Sequence, residues 1–162
     1  MKFSLLIFFV CQSLAMAFSM NRVPNFELND QHETLRSYRF PKTKVTVMTV
    51  ADYKGAGQLE PWLAHVYQRF GRKIDIDGVA DVSGIPRPFQ GALRIAFRNQ
   101  LAYSVMLDWD GAVTRGFHYE KGVANIYVID SQGMIIGRFG GAATENSLQQ
   151  LTLAIEHTIN RR

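Results

Sequence analysis

Cysteine is almost missing from this chain. One of its 162 residues is a cysteine, Cys11, and it lies near the N-terminus, within residues 1–17. Downstream of that segment the chain can form no disulfide, can bind no metal through sulfur and can carry out no thiol chemistry. The stability of the remaining residues must therefore come from packing and hydrogen bonding.

A hydrophobic run long enough to cross a membrane is also missing. Residues 1–17, MKFSLLIFFVCQSLAMA, contain Lys2, an apolar stretch broken by two polar residues, and the triplet Ala15-Met16-Ala17. The stretch is shorter than the roughly 20 apolar residues of a membrane span, and the pattern is typical of a cleaved secretory signal. We expect cleavage near Phe18, a secreted or periplasmic location and a single domain over residues 18–162. An uncleaved anchor is the alternative.

Acidic residues are the minority among the charges. Loss of residues 1–17 would remove one cation, which leaves 17 Lys and Arg against 14 Asp and Glu. The cationic excess would attract an acidic partner, but we favour a solvated basic face as its explanation. No recognised nucleic-acid module surrounds the basic residues. We therefore expect a protein or peptide partner and no nucleic acid.

The hydrophobic pattern predicts strands that alternate with helices and then a hairpin. Strands that are separated by helices favour parallel pairing, whereas the hairpin must be antiparallel, so a mixed sheet with helices on both faces is expected. The predicted elements are a buried strand at 44–50, a helix at 57–71, a strand at 73–82 with a break at Gly78, a helix at 86–101, a strand at 102–111, a hairpin at 124–141 and a helix from 144.

Local signals predict where the helices end and which side of each is buried. Pro61 is tolerated only in the first turn of the first helix, and Gly71 can close that helix in a left-handed conformation. Thr144 can cap the last helix. In the middle helix the spacing of apolar residues predicts that Phe89, Leu93, Ala96 and Phe97 are buried.

Two short motifs resemble a known fold. "PNFELND" at 24–30 and the pattern Ile129-Asp130-x-x-Gly133 resemble the entry and the second half of thioredoxin-like proteins, in the peroxiredoxin (AhpC/TSA) and TlpA-type redoxin branch. The likeness covers nearly all of residues 18–162. It implies an α/β fold, a three-layer sandwich whose mixed β-sheet is flanked by helices on both faces.

The resemblance also implies where thiol chemistry would lie. If Glu60 corresponds to the Glu that follows the cysteines of that branch, then Lys54-Gly55-Ala56-Gly57 replaces Cys-x-x-Cys. The position of the usual cis-proline falls on Ala124. We expect a trans peptide there, because a non-proline cis bond costs about 2.5–4 kcal/mol. Both departures remove the chemistry of the branch and imply a non-catalytic relative of the thiol-disulfide oxidoreductases and peroxiredoxins.

Other chemistry finds little support in the sequence. His118 and Glu120 could share a strand face, but two ligands are too few for a metal site. The "DIDG" and "DWDG" segments lack the spaced ligands of a calcium loop, and each is typical of a turn. No complete phosphate-binding loop is present. We therefore expect no metal, no cofactor and no catalytic residue.

Two hypotheses of different class remain, with assembly on an otherwise inert surface as a third. The first is a binding module, because thioredoxin-like folds hold extended peptides against the loop before the hairpin strand. The second is an enzyme of unrecognised chemistry at the same cleft, using Tyr53, Glu60 or Arg87. In the first hypothesis the groove consists of Tyr53, Lys54, Gly55, Ala56, Gly57, Trp62, Val123, Ala124 and Asn125.

The predicted export can be tested directly on protein from its native host. Mass spectrometry should find the N-terminus near Phe18, because the small-x-small triplet before it is the expected cleavage site. An intact Met1 on protein from a soluble cytoplasmic fraction would contradict the prediction. It would also restore Cys11 as a usable thiol.

Overall fold

The computed structural model describes residues 22–161. The predicted signal, residues 1–17, lies outside the described residues, so its cleavage stays a prediction. Between residues 22 and 161 no helix has the length and apolar character that crossing a membrane requires.

Within residues 22–161, seven strands form two sheets. A separate antiparallel hairpin precedes a five-stranded sheet of order β5-β4-β3-β6-β7, in which β3, β4 and β5 are parallel and β6 is antiparallel to both β3 and β7. The strands are β1 (Phe26–Asn29), β2 (Leu35–Tyr38), β3 (Thr46–Ala51), β4 (Asp75–Asp81), β5 (Met106–Asp108), β6 (Asn125–Ile129) and β7 (Ile135–Gly140). The mixed sheet confirms the expected topology.

Helices cover the sheet. They are α1 (Tyr53–Ala56), α2 (Leu59–Phe70), α3 (Gln90–Gln100), α4 (Ala112–Gly116) and α5 (Glu145–Asn160). In the largest core cluster, α2 and α5 pack against β3 and β6. A second cluster joins the β1–β2 hairpin, β3 and the residues that follow α4. The result is the expected layered α/β sandwich.

The elements with the strongest patterns form as predicted. All six residues of β3 are buried, as its unbroken apolar run indicates. Helix α2 has Pro61 in its first turn. It ends at Gly71, whose φ of 50° with ψ of −124° is positive but outside the left-handed helical region that we predicted. Thr144 caps α5 and exchanges hydrogen bonds with Ser147.

Three expectations about the middle of the chain are wrong. Gly78 does not break β4, because it pairs with Thr49 in an uninterrupted parallel ladder. No residue of α3 is fully buried, and Phe89 is 63% exposed because it lies in the 3₁₀ turn that precedes the helix. The strand predicted at 102–111 is confined to the three residues of β5.

A buried pair at the end of the β1–β2 hairpin fixes the segment that precedes β5. Asp30 and Gln31 are 1% and 0% exposed. Gln31 donates to the carbonyl of Tyr103 and accepts from the amide of Val105, both at 2.8 Å. Ser104 donates to Asp30 at 2.6 Å. These bonds hold residues 103–105 against the hairpin.

Asp30 is the centre of this arrangement. Its burial opposes ionisation, but the hydroxyl of Ser104, the amides of Thr34 and His32, and the guanidinium of Arg36 all donate to its carboxylate. These bonds outweigh the burial and lower the pKa of Asp30 to about 2.

The depressed pKa of Asp30 predicts acid sensitivity. The carboxylate stabilises the fold above the ordinary aspartate pKa of about 4, and this stabilisation is lost as the pH falls from about 4 to 2. Asp30→Asn should reduce the free energy of unfolding at pH 7 by about 2 kcal/mol and flatten its pH dependence in that window. Urea unfolding from pH 2 to 7 measures both quantities.

The control for this experiment is Glu33→Gln, on the same hairpin. Glu33 is exposed and forms ion pairs with Arg94 and Arg98 at the surface, and exposed pairs contribute little to stability. The control should keep the pH dependence of the wild type. A loss of pH dependence that is equal in both variants would contradict the role of Asp30.

Candidate functional site

Asp52 ties the junction between β3 and α1 to the loop before β6. One carboxylate oxygen of Asp52 accepts from the amide of Gly55 at 2.8 Å and so caps α1. The other accepts from the amide of Gly122, also at 2.8 Å. Asp52 was not among the predicted site residues, because no local pattern reveals a bond between residues that lie 70 positions apart.

Gly55 brings the two segments into backbone contact. A Cβ atom on Gly55 would lie 2.2 Å from the carbonyl oxygen of Val123 and 3.2 Å from the amide nitrogen of Ala124. Only glycine allows such an approach. The helix turn that carries Lys54 to Gly57 therefore rests directly on the peptide group that precedes Ala124, which is trans as expected.

The polar backbone groups of the loop are bonded within the chain. The amide of Ala124 donates to the side chain of Gln58 at 3.2 Å, and its carbonyl accepts from Gly141 at 2.9 Å. The carbonyl of Val123 accepts from the side chain of Asn125 at 3.0 Å. A peptide that bound here through backbone hydrogen bonds would have to displace these partners.

The predicted groove residues come together in space but do not form an open groove. Tyr53 is 95% exposed, whereas Gly55, Ala124 and Asn125 are buried. Lys54, Ala56 and Gly57 are exposed, and Val123 is half-buried.

The structure corrects the predicted position of Trp62 in the lining of the groove. We expected its ring to line an exposed groove, but it is 1% exposed and belongs to the main core. Its indole N–H donates to the carbonyl of Gly141 at 2.9 Å. The residue therefore supports the loop from inside and offers no surface to a ligand. Its place in the apolar stripe of α2 was the signal that predicted a core position.

Acidic residues lie at the carboxyl ends of the parallel strands. The hydroxyl of Tyr119 donates to Asp81, which also accepts from the amide and hydroxyl of Ser83. Burial opposes ionisation of Asp81, but these hydrogen bonds hold its pKa below the ordinary value. Burial and the bond to Asp81 raise the pKa of Tyr119. Both groups therefore keep one protonation state near pH 7, which does not suit acid–base catalysis.

The three residues named for the enzyme hypothesis are dispersed. No hydrogen bond or ion pair joins Tyr53, Glu60 or Arg87 to one another within residues 22–161, and Arg87 lies in the turn before α3. Residues His118 to Glu120 lie in a loop, and not on a strand as expected. Within the same residues no three His, Cys, Asp or Glu side chains are grouped so that they could hold a metal.

The sequence itself has no close relatives in two comparisons. No protein-family model matches the chain. No curated protein matches it either.

Solved structures do match the chain. A thiol:disulfide interchange protein of the thioredoxin family from Chlorobium tepidum has a TM-score of 0.60 at 16% identity, covering 86% of this chain and 96% of that one. The exposed lipoprotein thioredoxin Etrx1 of Streptococcus pneumoniae gives 0.62 at 14% identity, over 79% and 97% of the two chains. StoA from Bacillus subtilis has a TM-score of 0.59 at 13% identity, and the match covers 82% of this chain and 96% of StoA.

A likeness at these identities defines the fold. The chain has a thioredoxin-like fold, as its two short motifs indicated. In that fold it carries Lys54 and Gly57 at the junction where the resemblance places the cysteine pair, and it has no cysteine after residue 17.

The contact of Gly55 predicts unequal effects for two neighbouring substitutions. Gly55→Ala should reduce the free energy of unfolding by about 2 kcal/mol or more, because backbone atoms of the loop occupy the position of the new methyl group. Gly57→Ala is the matched control, because Gly57 has a φ of −63° and a Cβ atom there would lie 3.6 Å from its nearest neighbour. Its stability should change by less than about 1 kcal/mol. Urea unfolding decides the question, and equal costs for the two variants would contradict the contact.

Proposed function

We propose that this protein is an exported, redox-inactive member of the thioredoxin-like fold that acts by binding another protein. We also propose that the protein derives from the peroxiredoxin and TlpA-type branch. The removal of residues 1–17 is part of the same proposal. One of the similar structures is described as an exposed lipoprotein, which supports a location outside the cytoplasm.

One observation carries the proposal. At the junction where the resemblance puts the thiols, the chain is bonded to itself. Asp52 joins α1 to the amide of Gly122, and the side chain of Gln58 accepts from the amide of Ala124. The backbone of Gly55 packs directly against the carbonyl of Val123. The site has thus lost its sulfur and has also closed, while the fold around it stays complete. A junction in which both backbone groups of Ala124 are bonded within the chain favours a scaffold that binds over an enzyme.

The enzyme hypothesis receives less support. A nucleophile needs a base within hydrogen-bond reach, and Tyr53, Glu60 and Arg87 have no such partner among one another within residues 22–161. Asp81 and Tyr119 do form a pair near the junction, but their pKa values move away from neutrality in opposite directions. We therefore favour binding, with assembly on the same scaffold as a special case.

Redox assays test the non-catalytic part of the proposal. The protein spanning residues 18–162 should neither reduce insulin disulfides nor consume peroxide above the buffer background, because a thiolate is the nucleophile in both reactions. The matched variant is Lys54→Cys with Gly57→Cys. Because Gly57 has an ordinary φ of −63°, this variant should fold and form an intramolecular disulfide. Its insulin reduction should stay weak, because Ala124 does not replace the usual proline.

Thiol counting and thermal unfolding characterise the cysteine variant. Turnover by the metal-free wild-type protein would overturn the non-catalytic proposal. Two thiols that stay free in a folded variant would show that positions 54 and 57 do not correspond to the cysteine pair.

Crosslinking in the native compartment tests the binding part of the proposal. A photoreactive amino acid is placed at position 53, which is 95% exposed, and in a second variant at position 103, which is 40% exposed. Each should form a crosslink to a protein that binds near it. A crosslinked protein must then bind the purified chain reversibly in calorimetry. Absence of any such protein at both positions would count against the binding function.

A further inference from the structure

The edge of β4 is left open over half of its length. Pairing with β5 begins at Val79, so on that side residues 75–78 have no partner strand among the described residues. The amide of Asp75 donates to Val45 next to β3 at 2.9 Å. Because backbone groups alternate sides along a strand, the N–H and C=O of Ile76 point away from β3 and towards the open side.

A groove runs along this open edge. It contains a cavity of about 540 Å³ between the β1–β2 hairpin and α2, closed at one end by Tyr103 and Ser104. A second cavity of about 550 Å³ shares Ile76 and Tyr67 with the first and reaches Arg72 at the other end. We call the two together the edge groove. It follows β4 from Ile74 to Gly78, which is about 16 Å of extended chain.

The segment before β5 borders the groove without pairing with β4. Asp30 and Gln31 are buried and hold residues 103–105 against the hairpin. The side chain of Val105 lies against Gly78. Residues 75–77 therefore face the groove with no partner strand on this side among the described residues.

The walls of the groove offer apolar surface. Leu35, Tyr67 and Tyr103 are 59%, 47% and 40% exposed, and all three line the groove. They are three of the eight large apolar side chains that stand out as exposed within residues 22–161. Aromatic side chains at such a site provide contact area together with a polar group at the rim.

The charges of the groove are balanced except at one end. Lys42 and Lys44 form ion pairs with Asp75 and Asp77 at 3.3 to 3.8 Å. Arg72 lines the same end and has no ion-pair partner among the described residues. A ligand that carries a carboxylate at this end would complete the pairing.

These features together point to one kind of occupant. We propose that the edge groove binds an extended segment of a partner protein, which adds a strand to β4 at Ile76, places apolar side chains against Leu35, Tyr67 and Tyr103, and carries an acidic residue near Arg72. The β4 edge of a second copy is not that segment, because in each copy this edge lies at the bottom of the groove. The proposal rests on the proposed binding function and names the surface that performs it.

Selection from a library of random nine-residue peptides tests the proposal with a defined probe. Peptides displayed on phage are selected against the protein spanning residues 18–162, and the enriched sequences are synthesised. They should alternate apolar and polar residues, as an added strand requires, and should carry Asp or Glu near one end. In NMR spectra of the complex the amide of Ile76 should shift and become protected from hydrogen exchange.

Two pairs of matched variants locate the binding. Leu35→Glu should weaken peptide binding by about tenfold or more, whereas Leu153→Glu should change it by less than about twofold. Leu153 is 58% exposed, against 59% for Leu35, and does not line the groove. Arg72→Glu should weaken binding about fivefold and remove the preference for acidic peptides. Lys73→Glu changes the neighbouring exposed cation, which lies outside the groove, and should have little effect.

The outcomes separate this proposal from the proposed function. Peptides that bind the Leu35 and Arg72 variants as tightly as the wild type would overturn the proposal that the edge groove binds an extended segment. A selection that enriches no peptide would overturn it as well. If the protein crosslinked at position 53 or 103 still binds in either case, the binding function stands and its surface lies elsewhere. If no crosslinked protein binds, both proposals fail.

Discussion

The contact between Gly55 and the Val123–Ala124 peptide is the constraint on which the candidate site depends. It brings two backbone segments together where a side chain at position 55 would keep them apart. Asp52 and Gln58 can reach the loop only because the segments are this close. Trp62 and Gly141 then fix the loop from below. These contacts hold the junction together, and both backbone groups of Ala124 have partners inside the chain.

Polar side chains join distant segments at two places in this fold. At the junction, Asp52 and Gln58 draw two segments together and leave no backbone group of Ala124 for a ligand. At the end of the β1–β2 hairpin, Gln31 bonds the backbone of residues 103 and 105, and Asp30 accepts from Ser104. The same chemistry, a side chain that satisfies a distant backbone group, therefore closes the junction and fixes one wall of the edge groove.

Much of the fold could be predicted because its signals are local. The apolar run of β3, the stripe of α2 and α5, and the turn at Gly133 each specify an element within a few residues. The short β5 and the continuous β4 could not be predicted, because both depend on pairing between distant segments. Gln31 bonds residues 72 and 74 positions away, and no pattern of neighbours contains that information.

The candidate site could be predicted in position but not in character. The absence of cysteine after residue 17 is visible in the sequence, and the structure brings Tyr53 to Gly57 beside Val123 to Asn125. Whether such a junction stays open depends on Asp52 and Gln58, whose partners are fixed only by the tertiary fold. Without a thiolate to expose, nothing in the chemistry requires the junction to remain accessible. A binding surface then needs unpaired backbone groups and exposed apolar area in one place, and the open edge of β4 provides both.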